Sequence, residues 1–463
     1  MMDRTGKKNN TPLILFVNPW IHDFAAYDFW SKPLGFLILA AMAEKAGLRT
    51  AYLNCLDRFH PSVAGNGEKI QRQGRGPYYK TPIPKPEKLG DIRRTYSRYG
   101  LPLGVVIEAL KAMEKPDLIL VTSLMTYWYP GVFETISLIR DVFPDTPMVL
   151  GGLYATLCHD HAVKKSGLDA SGADMVFHGD ADKALFDIIE KHTGFKPDDT
   201  PDVRDVSDHP APALHMDGKI AFAPVRTSLG CPYACVYCAS KRIHKHYERR
   251  RPDLVFGEMR HWAEQFGVRD FAFYDDALFI NAENHAVPIL NEVIRYSETT
   301  GRKFRFHTPN ALHVREITAD IARLMFRAGF HTVRLGVETM AFENRNAMDK
   351  KVTEDDFNHA VAHLLAAGFK AESVGAYLLA GLPEQTVEGF ERSVIAVKKA
   401  GITPVPAYYS PIPGTPLFET AVKHSRYDLA DDPVFTNNSI FPANDAFADW
   451  KVLSRLKELI HSR

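Results

Sequence analysis

The sequence predicts an α/β protein in two parts, a doubly wound parallel sheet followed by a partial (β/α)6 TIM-type barrel. Three observations carry this. At 463 residues the chain is too long for one ordinary domain. Short apolar runs of strand length alternate with helical patterns through most of it. One stretch rich in Pro and Asp, TPDVRDVSDHPAPALH (200–215), interrupts that alternation and reads as a linker.

The elements follow in order. The basic tail MMDRTGKKNN leads into LILFVN (13–18). Asn18 and Pro19 end this run and no small-residue cleavage site follows, so the tail enters a buried strand rather than forming a secretion signal. TAYLN (50–54), DLILVTS (117–123), PMVLGG (147–152) and ADMVFHG (173–179) have the same strand character, and GFLILAAMAEKAG (35–47) and PGVFETISLIRDVF (130–143) are helical between them. Buried strands joined by helices imply a parallel sheet covered on both faces. Residues 56–115 interrupt it with an insertion rich in Lys, Arg, Pro and Tyr, read as a solvated excursion or as a lid over an anionic ligand.

Past the linker, VRTSLG, FAFYDDALF (271–279), FRFHTPN (304–310), TVRLGVET (332–339), ESVGAYLLAGLP (372–383) and ITPVPAYYSP (402–411) supply six strands. Helical patterns such as DIARLMFRAG (320–329) and DFNHAVAHLLAAG (356–368) separate them. In such barrels the chemistry sits at the C-terminal strand ends. The expected domains are 1–205, 206–420 and a helical tail at 421–463.

Composition narrows the function. With 45% hydrophobic and 24% charged residues the chain is ordinary globular material, and its formal charge of zero gives no global field to recruit nucleic acid or anionic membrane. No apolar run reaches the roughly 18 residues of a membrane span. No extended basic–aromatic pattern marks RNA, so nucleic acid is not an expected partner. Three of the five cysteines are clustered, which makes no disulfide framework and fits a reducing cytoplasm.

That cluster is the strongest signal. Cys231, Cys235 and Cys238 stand at C-x3-C-x2-C spacing in TSLGCPYACVYCAS (227–240). Structural zinc wants four ligands, and only His244 or His246 lies near enough in sequence to supply the fourth. A redox pair needs Cys235 and Cys238 alone and leaves Cys231 surplus. An iron–sulfur cluster explains the count better, because three thiolates leave one iron open to a substrate or cofactor.

The segment, with Tyr237 before the last cysteine, strongly resembles the radical S-adenosylmethionine (SAM) superfamily. FYDDALF, with Asp275 and Asp276, resembles that family's second-strand segment near the SAM amino group. RLGVET, with Glu338, resembles the fourth-strand segment that reaches ribose or carboxylate. AYLLAGLPEQT resembles the fifth-strand motif that packs on adenine; Gly381 and Glu384 keep their places while Tyr377 and Leu379 replace the usual Gly and Ile. YYSPIPGTPLF resembles the segment after the sixth strand. The resemblance implies a [4Fe–4S] cluster whose open iron chelates SAM. Reduction then releases a 5′-deoxyadenosyl radical that takes hydrogen from an unreactive C–H bond. It also implies an electron donor such as flavodoxin or ferredoxin, which the basic run KRIHKHYERRR (241–251) would attract if it is more than a solvated helix face.

Ser123 in TSLMT and the pair Gly151–Gly152 resemble the cobalamin-binding domain that precedes many radical SAM cores, where small residues make room for the cofactor's nucleotide tail. One departure matters: the D-x-H-x-x-G loop is absent, and NPWIHDFAAYDFWSKPLG stands in its place, so His22 is no match for the cobalt ligand. Trp20, Trp30 and Trp128 are candidates to cover a corrin face. Cys55 and Cys158 are too few for a second four-thiolate cluster, which disfavours methylthiotransferases. The expected function is therefore a radical SAM enzyme acting on an unreactive C–H bond of a small molecule or another substrate that the sequence does not specify, with methyl transfer as its reaction if cobalamin binds. A cobalamin-independent rearrangement, cyclisation or dehydrogenation and a non-catalytic iron–sulfur or zinc sensor are the alternatives.

Overall fold

The computed structural model describes residues 11–63, 72–167, 172–342 and 352–462. The basic N-terminal tail and part of the insertion lie outside the described residues. The chain forms two compact units, Met1–Ile220 and Ala221–Arg463. Residues 206–220, expected to open the second domain, belong to the first. Ala213 donates its N–H to Leu37 O at 3.0 Å, and Asn54 Nδ2 donates to Asp217 Oδ1 at 2.9 Å, so the linker is tied back onto the first sheet.

The first unit is built on five parallel strands: Leu13–Asn18, Arg49–Asn54, Leu118–Val121, Met148–Leu150 and Met175–Val176. All six residues of the first strand are buried, as a central strand covered on both faces requires. In chain order the strands run second, first, third, fourth, fifth across the sheet. This order reverses between the first and third strands, and such a switch point is where open α/β sheets bind ligands. The residues just past it are Pro19–Trp20 and Thr122–Ser123.

The described part of the insertion is folded onto the first unit at both ends, while residues 80–95 are largely exposed. Ile21–Asp23, just past the first strand, pairs antiparallel with Ser97–Tyr99, which pairs with Lys80–Pro82. Ile21, Leu56, Tyr78 and Tyr99 make a small core of their own, against which Trp128 packs. The helix Leu103–Ala112 belongs to the crossover into the third strand, so the cap itself ends near Leu101.

The second unit is a six-stranded parallel sheet in strict chain order: Ala223–Val225, Asp270–Phe273, Arg305–His307, Phe330–Glu338, Val374–Ala380 and Thr403–Tyr408. Helices return the chain between strands. Thr318 and Thr353 cap two of them with side-chain oxygens, and Gly267, Gly301 and Gly329 close three at positive φ. The expected helical tail is only partly helical. Short 3-10 turns between Pro433 and Ala448 carry Phe441 and Phe447 against the barrel, where Phe447 meets Phe390 at 5.8 Å, and the helix Trp450–His461 follows.

Candidate active site

The cysteine loop lies between the two strands of a short antiparallel pair, Ser228–Leu229 with Glu248–Arg249. Gly230 between them is at φ 75°, and a Cβ there would stand 2.4 Å from His246 O, so only glycine lets the strands close at this point. Cys235 is buried, Cys231 partly so and Cys238 exposed. Cys238 N–H donates to Cys235 O at 3.1 Å, and Leu417 N–H, from beyond the sixth strand, donates to Val236 O at 3.0 Å. Backbone bonds thus shape the loop from within and pin it from the far end of the sheet.

The three cysteines open onto a pocket of about 440 Å³ that also takes Tyr237, Asp276, Asn310, His313, Gly336 and Glu338. That volume suits a cofactor-sized molecule. Ser240 Oγ donates to Asp276 Oδ2 at 2.5 Å. Asn310 Nδ2 donates to Tyr274 O at 2.9 Å, joining the second and third strand ends. Glu338 sits at φ 63°, beside an irregular register between Gly336 and Glu338, an unusual backbone conformation for a glutamate. Lys241 and Arg242 reach the pocket from the basic run. The rest of that run does not form a helix face: the helix ends at Ile243, and Arg250 pairs with Glu258 at 2.8 Å in the interior.

Three residues expected at the cofactor are placed otherwise. Asp275 is buried and accepts four donors from the start of the cysteine segment. Thr227 N and Oγ1 lie at 3.0 and 2.7 Å, and Ser228 N and Oγ at 2.6 and 2.7 Å. Burial pushes its carboxyl up against those bonds, which favour the ion. His285 Nε2 meets Thr227 Oγ1 at 2.7 Å, and burial holds this imidazole down at about 4, so it is neutral. Asp275 therefore fixes the loop from behind rather than facing the pocket.

Gly381 is small for a neighbour in the chain: a Cβ there would stand 2.8 Å from Phe441 Cδ1. Its turn is held by Gln385, whose Oε1 accepts from Gly381 N–H at 2.8 Å while Nε2 donates to Leu379 O at 2.8 Å. Glu384 is exposed and faces His424 at 3.4 Å. Sequence reasoning missed Asn310, His313 and Gln385. Asn310 ends the run FRFHTPN and could have been chosen by the strand-end rule; the other two carry no comparable signal.

In the first unit Ser123 and the two glycines do meet. Ser123 Oγ donates to Gly151 O at 2.6 Å, and a Cβ on Gly152 would lie 2.3 Å from Ser123 O. Beside Gly151 a Cβ would meet nothing within 4 Å. His22 is committed elsewhere: its Nε2 lies 2.7 Å from Glu134 Oε2, which Arg98 also holds. Trp20 Nε1 donates to Leu101 O and Trp128 Nε1 to Asp23 Oδ2, at 2.8 and 2.7 Å, so both indoles are built into the cap. Trp30 Nε1 likewise donates to Gln73 O at 2.8 Å.

Residues 225–395 match the family model of the radical SAM superfamily. These residues form a radical SAM domain. Over 337 residues, 67% of this chain and 70% of the relative, it is 23% identical to an uncharacterized methyltransferase of Pyrococcus horikoshii. It is 24% identical to the hopanoid C-2 methylase of Rhodopseudomonas palustris over 66% of this chain and 58% of that one. The radical SAM methyltransferase TsrM of Kitasatospora setae, solved with cobalamin and a [4Fe–4S] cluster, shares the fold at a TM-score of 0.62 and 17% identity, over 89% of this chain and 75% of that one. The cobalamin-dependent SAM radical enzyme OxsB, solved with aqua-cobalamin, shares it at 0.58 and 12%, over 83% of this chain and 52% of that one. The chain thus spans between half and three-quarters of the length of these proteins.

A [4Fe–4S] cluster and SAM are the cofactors of a radical SAM enzyme, and the loop suits the first. Among the described residues no three His, Cys, Asp or Glu side chains are placed to share one metal ion. A cubane does not ask for that, since each thiolate bonds a different iron. No helix among the described residues is long and apolar enough to cross a membrane.

Proposed function

We propose that this radical SAM enzyme is a cobalamin-dependent methyltransferase acting on an unreactive carbon of a small organic substrate. The observation that carries the reading is the meeting of Cys231, Cys235 and Cys238 with Asp276 and Glu338, from two further strand ends, around one pocket. When bound there, the cluster and SAM supply a carbon-centred oxidant able to take a hydrogen atom from substrate.

The chain's own residues have defined tasks. The thiolates would hold three irons. Glu338 and Asp276 are the acceptors available to the ribose hydroxyls and the cationic amine of SAM, and Tyr237 walls the same space. Lys241 and Arg242 would draw in the carboxylate or an acidic reductant of the flavodoxin or ferredoxin kind. The barrel walls keep water from the reacting atoms. For cobalamin the support is the shared fold with TsrM and OxsB, the switch point, and the open flank of Gly151 beside Ser123. His22 is held by Glu134 and is not offered to a corrin as a lower ligand.

A second reading, a cobalamin-independent enzyme, is favoured by one observation: Trp20 and Trp128, beside the switch point, are tied to Leu101 O and Asp23 Oδ2 by their indole N–H groups. Anaerobic reconstitution with iron and sulfide, followed by reduction with SAM and assay of 5′-deoxyadenosine and methylated product, tests the chemistry against a Cys235→Ala control. The visible spectrum after hydroxocobalamin is offered and washed decides between the readings. A retained corrin spectrum supports methyl transfer; its loss, with SAM cleavage intact, supports the second.

A further inference from the structure

We infer that His313 is a positioning residue that sets the reduction potential of the cluster by donating a hydrogen bond from Nε2 to the Cys231 thiolate. This rests on the cluster reading above and deepens it. His313 lies in the loop after the third barrel strand, 82 residues from Cys231, yet its Nε2 stands 3.9 Å from Cys231 Sγ, within reach for a sulfur acceptor. Its ring also meets Tyr233 edge-on, with centroids 4.6 Å apart, so it touches the cysteine loop at two points.

The backbone that presents it is fixed. Leu312 N–H donates to Arg334 O at 2.8 Å and Leu312 O accepts from Gly336 N–H at 2.9 Å, so the loop runs alongside the fourth strand. Leu312 and Val314, on either side of His313, are both buried. The pairing fixes the backbone from which His313 projects, and the edge-on contact with Tyr233 holds the ring toward the cysteine loop. Both His313 and Cys231 line the pocket, so the contact lies where SAM would bind.

The consequence is electrostatic. A donor on a ligating thiolate disperses negative charge and stabilises the reduced, more negative cluster over the oxidised one, raising its potential. Reduction by a protein donor becomes easier, and the driving force onto SAM correspondingly smaller. His313 would set that balance without touching substrate.

The test uses the full chain, reconstituted without oxygen. His313→Leu removes the donor; His313→Gln keeps an N–H of similar reach. Midpoint potentials are read by EPR-monitored titration at matched iron content. The expected result is a shift to more negative potential in His313→Leu that His313→Gln largely restores. An unchanged potential in His313→Leu with a full cluster overturns the inference.

Should His313→Leu fail to assemble a cluster, wild-type protein labelled with 15N-histidine decides. A weak 15N coupling to the reduced cluster, lost in His313→Gln, supports a hydrogen bond. No coupling, or the strong coupling of an imidazole bonded to iron, overturns it. Absence of iron from the wild type would instead refute the functional reading.

Discussion

Asp275→Ala separates a structural role from a cofactor role at one atom. The carboxylate gathers four donors, and two of them, the N–H groups of Thr227 and Ser228, are backbone groups that cannot turn elsewhere. A buried N–H stranded without an acceptor costs about 1–3 kcal/mol, so the pair costs about 2–6 kcal/mol. The two hydroxyls can rotate to new partners and add little. Against this, the substitution removes a carboxylate whose own burial is unfavourable, seen in its raised pKa. The net loss is then about 2–4 kcal/mol.

The two units need not unfold together, so a global transition is a poor readout. Hydrogen exchange across 225–231 in the apo protein is better, and it should accelerate by about 30- to 700-fold if the loop opens by local unfolding. Asn at this position retains one oxygen for the same donors and should lose less. Unchanged exchange in Asp275→Ala, together with lost SAM binding, would refute the reasoning and return Asp275 to the cofactor contact that the sequence suggested.

Other expectations follow from the same geometry. Alanine at Cys231, Cys235 or Cys238 should abolish uptake of the four irons on reconstitution, whereas Cys55→Ala should not, because Cys55 is buried and burial pushes its thiol up, away from thiolate chemistry. Gly152→Ala should cost about 2–5 kcal/mol, since φ is 93° and the new Cβ would strike Ser123 O and N at 2.3 and 2.5 Å; a lowered Tm reports it. Gly151→Ala should leave Tm nearly unchanged yet weaken hydroxocobalamin retention, if the corrinoid uses that open flank.

Burial would raise the Glu134 carboxyl, but the bonds from His22 and Arg98 hold it down at about 2. A depressed acid stabilises the fold above its unfolded value and loses that contribution as pH falls through the folded one. The apo wild type should therefore exceed Glu134→Gln by about 1 kcal/mol at neutral pH, after allowance for a carboxylate one-third exposed, and the gap should close between pH 4.5 and about 2. A difference flat with pH in denaturant unfolding would count against this pairing.

Much of the site was legible because its signal is local. Cys231, Cys235 and Cys238 are written within eight residues, and a thiolate triad has few chemical uses. The central strands read well: residues 13–17 leave an unbroken apolar run buried in the first sheet, and Leu118–Val121 leaves another. The order of those runs fixes the (β/α) succession, since parallel neighbours must be joined by crossovers.

What the sequence could not decide is which side chains those crossovers bring together. Asp275 and Asp276 are adjacent in the chain, yet one turns inward to Thr227 and Ser228 while the other reaches the pocket with Ser240. Consecutive residues leaving a strand point to opposite sides, and only the packed barrel says which side is open. Gly381 fits a cofactor motif on paper, but the neighbour it makes room for is Phe441, from a segment with no strand of its own. His313 meets Cys231 across 82 residues, a distance over which no periodicity carries information. Local pattern specifies each element through the burial of its own face; contacts between elements arise only when the whole sheet closes, and that was left to tertiary structure.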